Sequence, residues 1–219
     1  MITLDLPRVA AVIENLISRD QQSQAKRKDL NLSEEEIKRL MGSKTQYLEF
    51  YSSLADWPLS ISHETGRLIY MLAKSRRATS IIEYGTSLGV STLFLAAALR
   101  DNGGGRLITC EFVPSKVAEA KANLEAAGLS DLVEFRAGNA LETLKVDLPK
   151  SVDLLLLDGA KALYAEILAL VEKNLAPGAL IIADDAHFCP EYLALIRASQ
   201  RGYLSAPLNE GVELTMRLI

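Results

Sequence analysis

Cysteine is scarce. Cys110 and Cys189 are the only two, neither stands in a metal-ligand spacing, and two thiols do not make a disulfide framework. They read as reduced thiols, the pattern of a cytoplasmic protein. Long apolar runs are missing as well. No stretch approaches the ~20 apolar residues of a membrane span. The N-terminus carries Asp5 and Arg8 and no extended apolar run, so it does not read as a secretory signal. Neither sign of charge dominates, with 24 basic against 28 acidic residues and a net charge of -4. That balance gives no reason to expect broad binding to nucleic acid or a membrane surface, and only Arg76-Arg77 and Lys26-Arg27-Lys28 form basic clusters. Repeats and low-complexity tracts are absent. What the chain does have is apolar material, 49% of 219 residues, enough for a sizeable core and most simply one domain with an appendage.

The appendage is helical. Val9, Val12, Ile13, Leu16 and Ile17 recur at helical spacing over residues 8–18, followed by a polar stretch from Ser18 to Asp29. Ser33 with Glu36 forms a capping box before Ile37, Leu40 and Met41, and a further helix holds Tyr47, Leu48 and Tyr51 and ends before Pro58. Residues 1–60 are thus predicted as an N-terminal helical segment serving as a lid, a dimer arm or plain packing. From residue 61 strands and helices alternate. Strands are predicted at Thr79–Tyr84, Arg106–Glu111, Leu132–Arg136, Val152–Leu157 and Ala179–Asp184, with helices around Glu64–Lys74, after Gly89, and from Pro114 to Gly128. That alternation predicts an α/β fold with a parallel sheet covered on both faces. Gly202–Ala206 and Val212–Leu218 leave no room for a helix between them and must form an antiparallel hairpin.

The most informative stretch is Glu83-Tyr84-Gly85-Thr86-Ser87-Leu88-Gly89-Val90-Ser91. Strand, glycine turn and buried helix together make a nucleotide-cofactor pocket, with free N–H groups at the helix start. The glycines do not follow the dinucleotide spacing G-x-G-x-x-G. Glu111 ends the next strand, twenty-two residues after Gly89, where a carboxylate can accept from both ribose hydroxyls. Glu83 beside the turn would repel a pyrophosphate and suits a phosphate-free cofactor with a cationic amino-acid portion, as S-adenosylmethionine has.

Further acids cluster at later strand ends. Asp158 follows one strand and Asp184-Asp185 another. Three carboxylates at neighbouring strand ends repel one another unless a cation joins them, and hard oxygen donors suit Mg²⁺, Mn²⁺ or Ca²⁺; helix or turn capping is the alternative for each of them. Lys161 sits three residues after Asp158, and a lysine in a desolvated pocket beside a divalent cation is expected to have a lowered pKa and to act as a base.

These residues resemble the cation-dependent, S-adenosylmethionine-dependent O-methyltransferases of the catechol and caffeoyl-coenzyme A type, over residues 58–219. The resemblance rests on Glu83–Ser91, Glu111, Asp158–Tyr164, Ala183-Asp184-Asp185 and the ending Pro207-Leu208-Asn209-Glu210-Gly211-Val212. It implies a Rossmann-like class I methyltransferase fold: a mostly parallel seven-stranded sheet with a C-terminal antiparallel hairpin, helices on both faces, and N-terminal helices added. Residues 61–219 would be the cofactor-binding methyltransferase domain. Glu83, Gly85, Ser87 and Ser91 would line the methionine part of the cofactor, Glu111 would hold the ribose, and Gly138 and Ala140 would lie near the adenine. Ile61, Thr86, Gly89, Phe112, Asn139 and Asp158 complete the implied cofactor set. Asp158, Asp184 and Asp185 match metal-ligand positions, and Lys161 matches the base that deprotonates an acceptor hydroxyl. A homodimer is implied by analogy with relatives.

Three departures stand out. Asp185 replaces the family's usual asparagine, Ala160 stands where a second aspartate is common, and Cys189 stands where plant members carry an asparagine facing the substrate, making the pocket less polar there. His63 and His187 are candidates for the pocket mouth against surface or packing roles. Trp57 and Phe188 read as core packing, with an aromatic acceptor's slot as the alternative. The leading expectation is methyl transfer to a hydroxyl of a small catechol-like acceptor. The alternatives are methylation of a transfer-RNA uridine hydroxyl, disfavoured by the net charge; a non-catalytic cofactor-binding protein; and a nicotinamide dehydrogenase, disfavoured by the glycine spacing and Glu83.

Overall fold

The computed structural model describes residues 1–24, 32–198, 202–208 and 211–219. Lys26-Arg27-Lys28 and the Asn209-Glu210 turn therefore lie outside the described residues. Seven strands form one sheet: β1 (Ser80–Tyr84), β2 (Arg106–Glu111), β3 (Val133–Ala137), β4 (Val152–Leu157), β5 (Leu175–Ala183), β6 (Tyr203–Pro207) and β7 (Glu213–Arg217), in the order β3-β2-β1-β4-β5-β7-β6. β1 to β5 pair in parallel, and β7 runs antiparallel between β5 and β6. The last strand thus inserts into the sheet while its hairpin partner takes the edge. Leu154–Leu157 and Ala179–Ala183 are buried throughout, as strands covered on both faces should be. β5 begins four residues earlier than its apolar run suggests, with a register irregularity opposite Val152 and Leu154.

Nine α-helices surround the sheet in the described residues: α1 (Pro7–Gln24), α2 (Glu34–Met41), α3 (Tyr47–Ser53), α4 (His63–Ser75), α5 (Val90–Asp101), α6 (Pro114–Ala127), α7 (Ala140–Thr143), α8 (Tyr164–Val171) and α9 (Pro190–Arg197). α5 is the buried helix predicted from its sequence, with Val90 to Leu99 all inside. α6 starts on Pro114 and stops at Gly128 in the left-handed conformation, φ +68°. The capping box at Ser33 is formed in both directions.

The first sixty residues do not act alike. α1 runs past residue 18 to Gln24, into the polar stretch. It buries Val9, Ile13 and Leu16 in the main core and reaches α6 through an Arg19–Glu119 ion pair. The chain before it is tied down by Asp101, which accepts from Thr3 N (2.9 Å), Thr3 Oγ1 (2.5 Å) and the Tyr70 hydroxyl (2.6 Å). α2 and α3 instead approach the carboxyl ends of the strands, which is where the site forms. From β1 the chain builds β2 and β3 to one side, and β4 and β5 lie on the other. The crevice therefore opens between β1 and β4, where the Asp158 N–H donates to the Tyr84 carbonyl at 2.8 Å.

Candidate functional site

The turn after β1 needs its glycines. Gly85 has φ +104°, and a Cβ there would lie 2.4 Å from the Asp158 carbonyl oxygen. Only glycine lets β1 and β4 approach this closely. Ser87 also adopts positive φ, +47°. Its N–H donates to Glu111 Oε2 at 2.9 Å, and its hydroxyl accepts from Leu59 N at 3.1 Å. Glu111 Oε1 accepts from Phe112 N and Val113 N, each at 2.9 Å. Three backbone amides thus fix the carboxylate, and one of its four lone-pair sites stays open toward a ligand.

These residues line a cleft of about 630 Å³. Gly85, Ser87, Glu111, Phe112, Gly138, Asn139, Ala140 and Asp158 all face it, and Tyr47, Tyr51 and Leu59 roof it. Tyr47 is latched by Asn139, whose amide donates to its hydroxyl at 3.0 Å. Asn139 also caps α7 by accepting from Leu141 N. Ile61, Glu83, Thr86, Gly89 and Ser91 support this cleft from beneath without lining it. Ile61 packs in the main core, the Thr86 hydroxyl pairs with Thr109 at 2.5 Å, and Gly89 turns the chain into α5 at φ +91°. Glu83 is fully buried. Its Oε2 accepts from the Thr92 and Thr109 hydroxyls at 2.6 Å each, while Oε1 has no hydrogen-bond partner among the described residues. Burial pushes its pKa up to about 7, against the hydroxyls of Ser91, Thr109 and Thr92, which favour the charged form.

A second cavity, about 970 Å³, adjoins the first. The two share Tyr51, Leu59, Asp158 and Gly159. Its floor is Asp158, Lys161, Asp184 and Asp185, and its walls are Ile37, Met41, Phe50, Leu54, Trp57 and Ser60 from α2, α3 and the loop after them. Trp57 thus faces the acceptor side rather than packing in the core. Lys161 is buried. Its ammonium donates to Asp158 Oδ1 and the Tyr164 hydroxyl at 2.9 Å each and to the Asp184 carbonyl at 3.3 Å, with Asp185 Oδ2 at 3.7 Å.

The expected lowering of the lysine pKa is tied to a neighbouring divalent cation; the protein's own carboxylates act the other way. Burial does act to lower it, but the carboxylates of Asp158, Asp185 and Asp184 together outweigh burial and hold the ammonium above its ordinary range. Burial and the neighbouring Asp158 carboxylate in turn push Asp184 up to about 7. Three carboxylates face one ammonium, so the cluster is short of positive charge. Among the described residues no three His, Cys, Asp or Glu side chains are drawn together in a ligand arrangement. The donor set nonetheless fits a hard divalent cation, which would relieve that repulsion.

The other candidates fall elsewhere. His63 stacks edge-on against Phe94, centroids 5.7 Å apart. His187, Phe188 and Cys189 line a third cavity behind Lys161, with Lys38 and Lys44. Cys189 therefore does not make the acceptor cavity less polar.

The methyltransferase-domain family matches residues 82–186, from the glycine turn through the Asp184-Asp185 pair. Over 130 residues the chain is 35% identical to a catechol O-methyltransferase of Niastella koreensis, covering 58% of this chain and 58% of that one. It is 31% identical over 135 residues to a catechol O-methyltransferase of Mycobacterium tuberculosis, covering 61% and 60%. The structure of the O-methyltransferase TomG from Streptomyces achromogenes, in complex with S-adenosylmethionine, aligns with TM-score 0.67 at 25% identity, over 94% of this chain and 98% of that one. The chain thus carries a methyltransferase-domain match from β1 to Ala186 and is similar there to catechol O-methyltransferases. The match spans about 58–60% of the length of these curated relatives. Ala160 takes its place in this site through its backbone. Its N–H donates to the Tyr84 hydroxyl at 3.1 Å, and that hydroxyl donates to its carbonyl at 3.4 Å. Gly159 lies against the same ring, which a Cβ there would meet at 2.6 Å. No helix among the described residues is long and apolar enough to cross a membrane.

Proposed function

We propose that this chain transfers a methyl group from S-adenosylmethionine to a hydroxyl of a small catechol-like acceptor. The observation that carries this reading is the junction of two cavities at Asp158, Gly159, Tyr51 and Leu59. One is built for a cationic, phosphate-free nucleoside cofactor; the other holds carboxylates and a buried lysine under an apolar roof. The cofactor's sulfonium and ammonium suit a cleft underlain by Glu83, and Glu111 retains an acceptor site for the ribose.

A divalent cation held by Asp158, Asp184 and Asp185 would supply Lewis-acid polarisation of the acceptor hydroxyl and offset the carboxylates' charge. Burial acts to lower the Lys161 pKa against these carboxylates, so offsetting their charge would move the lysine toward its base form. Lys161 Nζ then takes the hydroxyl proton. The freed oxygen pair attacks the methyl carbon in line, the carbon–sulfur bond breaks, and its electrons return to sulfur, giving a neutral thioether. Tyr51 and Leu59, which border both cavities, hold donor and acceptor against one another and keep water out. This positioning is most of the rate enhancement.

The test is incubation with methyl-labelled S-adenosylmethionine and either catechol or unfractionated transfer RNA. Labelled catechol ether is expected. Label in transfer RNA and none in catechol would replace this reading with the RNA one.

A further inference from the structure

On the function proposed above, the walls of the second cavity say what else the acceptor carries. Its titratable groups, Asp158, Lys161, Asp184 and Asp185, all lie at the floor, where the reacting hydroxyl belongs, apart from the buried phenol of Tyr51. The roof is apolar. Ile37 and Met41 stand one turn apart on α2, Phe50 lies on α3, Leu54 caps its C-terminal end, and Trp57 follows. Phe50 and Leu54 are already buried at 6% exposure each, so they present fixed hydrocarbon.

The described cations of this roof are committed elsewhere. Lys38 and Lys44 line the third cavity, Lys44 is ion-paired with Glu166 and Glu191, and Arg39 donates to Gln46 at 2.8 Å. Apart from Lys161 at the floor, no basic side chain of the described residues lines this cavity to meet a carboxylate or phosphate tail, and the roof offers no acid to an ammonium tail. Either charge would be pressed against hydrocarbon without a partner, which is costly. Ser60 Oγ, buried and without a hydrogen-bond partner among the described residues, is a neutral polar atom in the same wall. It can serve an ether or second hydroxyl without favouring a charge.

We infer that the acceptor bears an uncharged, largely apolar substituent, and that Ile37, Met41, Phe50, Leu54 and Trp57 select it against acceptors of equal length ending in a carboxylate or an ammonium.

Trp57 is the chain's only tryptophan, so its fluorescence reports occupancy of the cavity without any need for turnover. The experiment titrates the full chain, with S-adenosylhomocysteine and Mg²⁺ present, with 4-propylcatechol, 3-(3,4-dihydroxyphenyl)propanoate and 4-(2-aminoethyl)catechol. The neutral compound is expected to bind at least about tenfold more tightly than either charged one, one tenfold step being about 1.4 kcal/mol. Met41→Lys, at a partly exposed helix end, is expected to shift the carboxylate-to-neutral preference at least about tenfold toward the carboxylate. Equal affinity for the three compounds, or an unshifted preference in the variant, would overturn the inference. Methyl transfer is measured in parallel mixtures that hold S-adenosylmethionine in place of S-adenosylhomocysteine. The neutral preference in binding with no methyl ether from any catechol would remove the proposed activity and leave the cavity's selectivity standing; transfer to all three catechols alike would remove the selectivity alone.

Discussion

Replacing Glu83 by glutamine isolates one buried carboxyl group. In the folded chain burial holds its pKa at about 7, against an ordinary value of 4.5. The raised value fixes the sign. As pH rises past about 4.5 the unfolded chain releases this proton while the folded chain keeps it, so stability falls until about pH 7 and is level above that. At about 1.4 kcal/mol per pH unit, the contribution lost between pH 5 and pH 8 comes to roughly 2.5 kcal/mol. Glutamine keeps an oxygen for the Thr92 and Thr109 hydroxyls and cannot titrate. Urea unfolding of both proteins at pH 5 and pH 8 measures the difference. The wild type is expected to lose roughly 2.5 kcal/mol more than Glu83→Gln, a midpoint displacement of about 1 M for an m-value of 2–3 kcal/mol/M. An identical pH dependence in the two proteins would refute the reasoning, because it would mean that Glu83 is already ionised in the folded chain at pH 5.

Gly85→Ala places a Cβ 2.4 Å from the Asp158 carbonyl at a φ of +104°; a stability loss of about 1–3 kcal/mol and loss of thermal protection by S-adenosylmethionine are expected in melting curves. Lys161→Ala and Asp158→Ala are expected to keep that thermal protection while kcat falls at least about a hundredfold, and unchanged turnover in both would sink the mechanism. Tyr47→Phe removes the hydrogen bond from Asn139, a net contribution of ~1 kcal/mol, so calorimetry should show S-adenosylhomocysteine bound up to about fivefold more weakly.

Local signals carried much of the fold. The Pro114 start and Gly128 stop, the capping box at Ser33, and the apolar runs Leu154–Leu157 and Ala179–Ala183 each have a short-range physical cause, and each forms as predicted. The glycine turn and Glu111 were legible for the same reason, since backbone strain and strand ends leave marks in sequence. What needed the structure is long-range. Leu59 on Ser87 and Tyr47 against Asn139 close the cleft with groups 28 and 92 residues apart, and nothing local to Tyr47 or Leu59 signals it. Trp57 read as core because its aromatic ring and neighbours do not say which cavity it faces. The balance at Lys161 also needed the structure, because the sequence shows that carboxylates are nearby but not that three of them outweigh its burial. Glu83 was read as cofactor lining, whereas the hydroxyls of Thr92 and Thr109 draw it beneath the turn.

The most direct measurement of the central claim is the yield of catechol monomethyl ether from S-adenosylmethionine and catechol, by mass spectrometry, with Mg²⁺ and with excess chelator. Methyl ether that requires the enzyme and Mg²⁺ and is abolished by chelator is the expected result. No ether under either condition, with S-adenosylmethionine demonstrably bound, would contradict the assignment of the two cavities to methyl donor and hydroxyl acceptor.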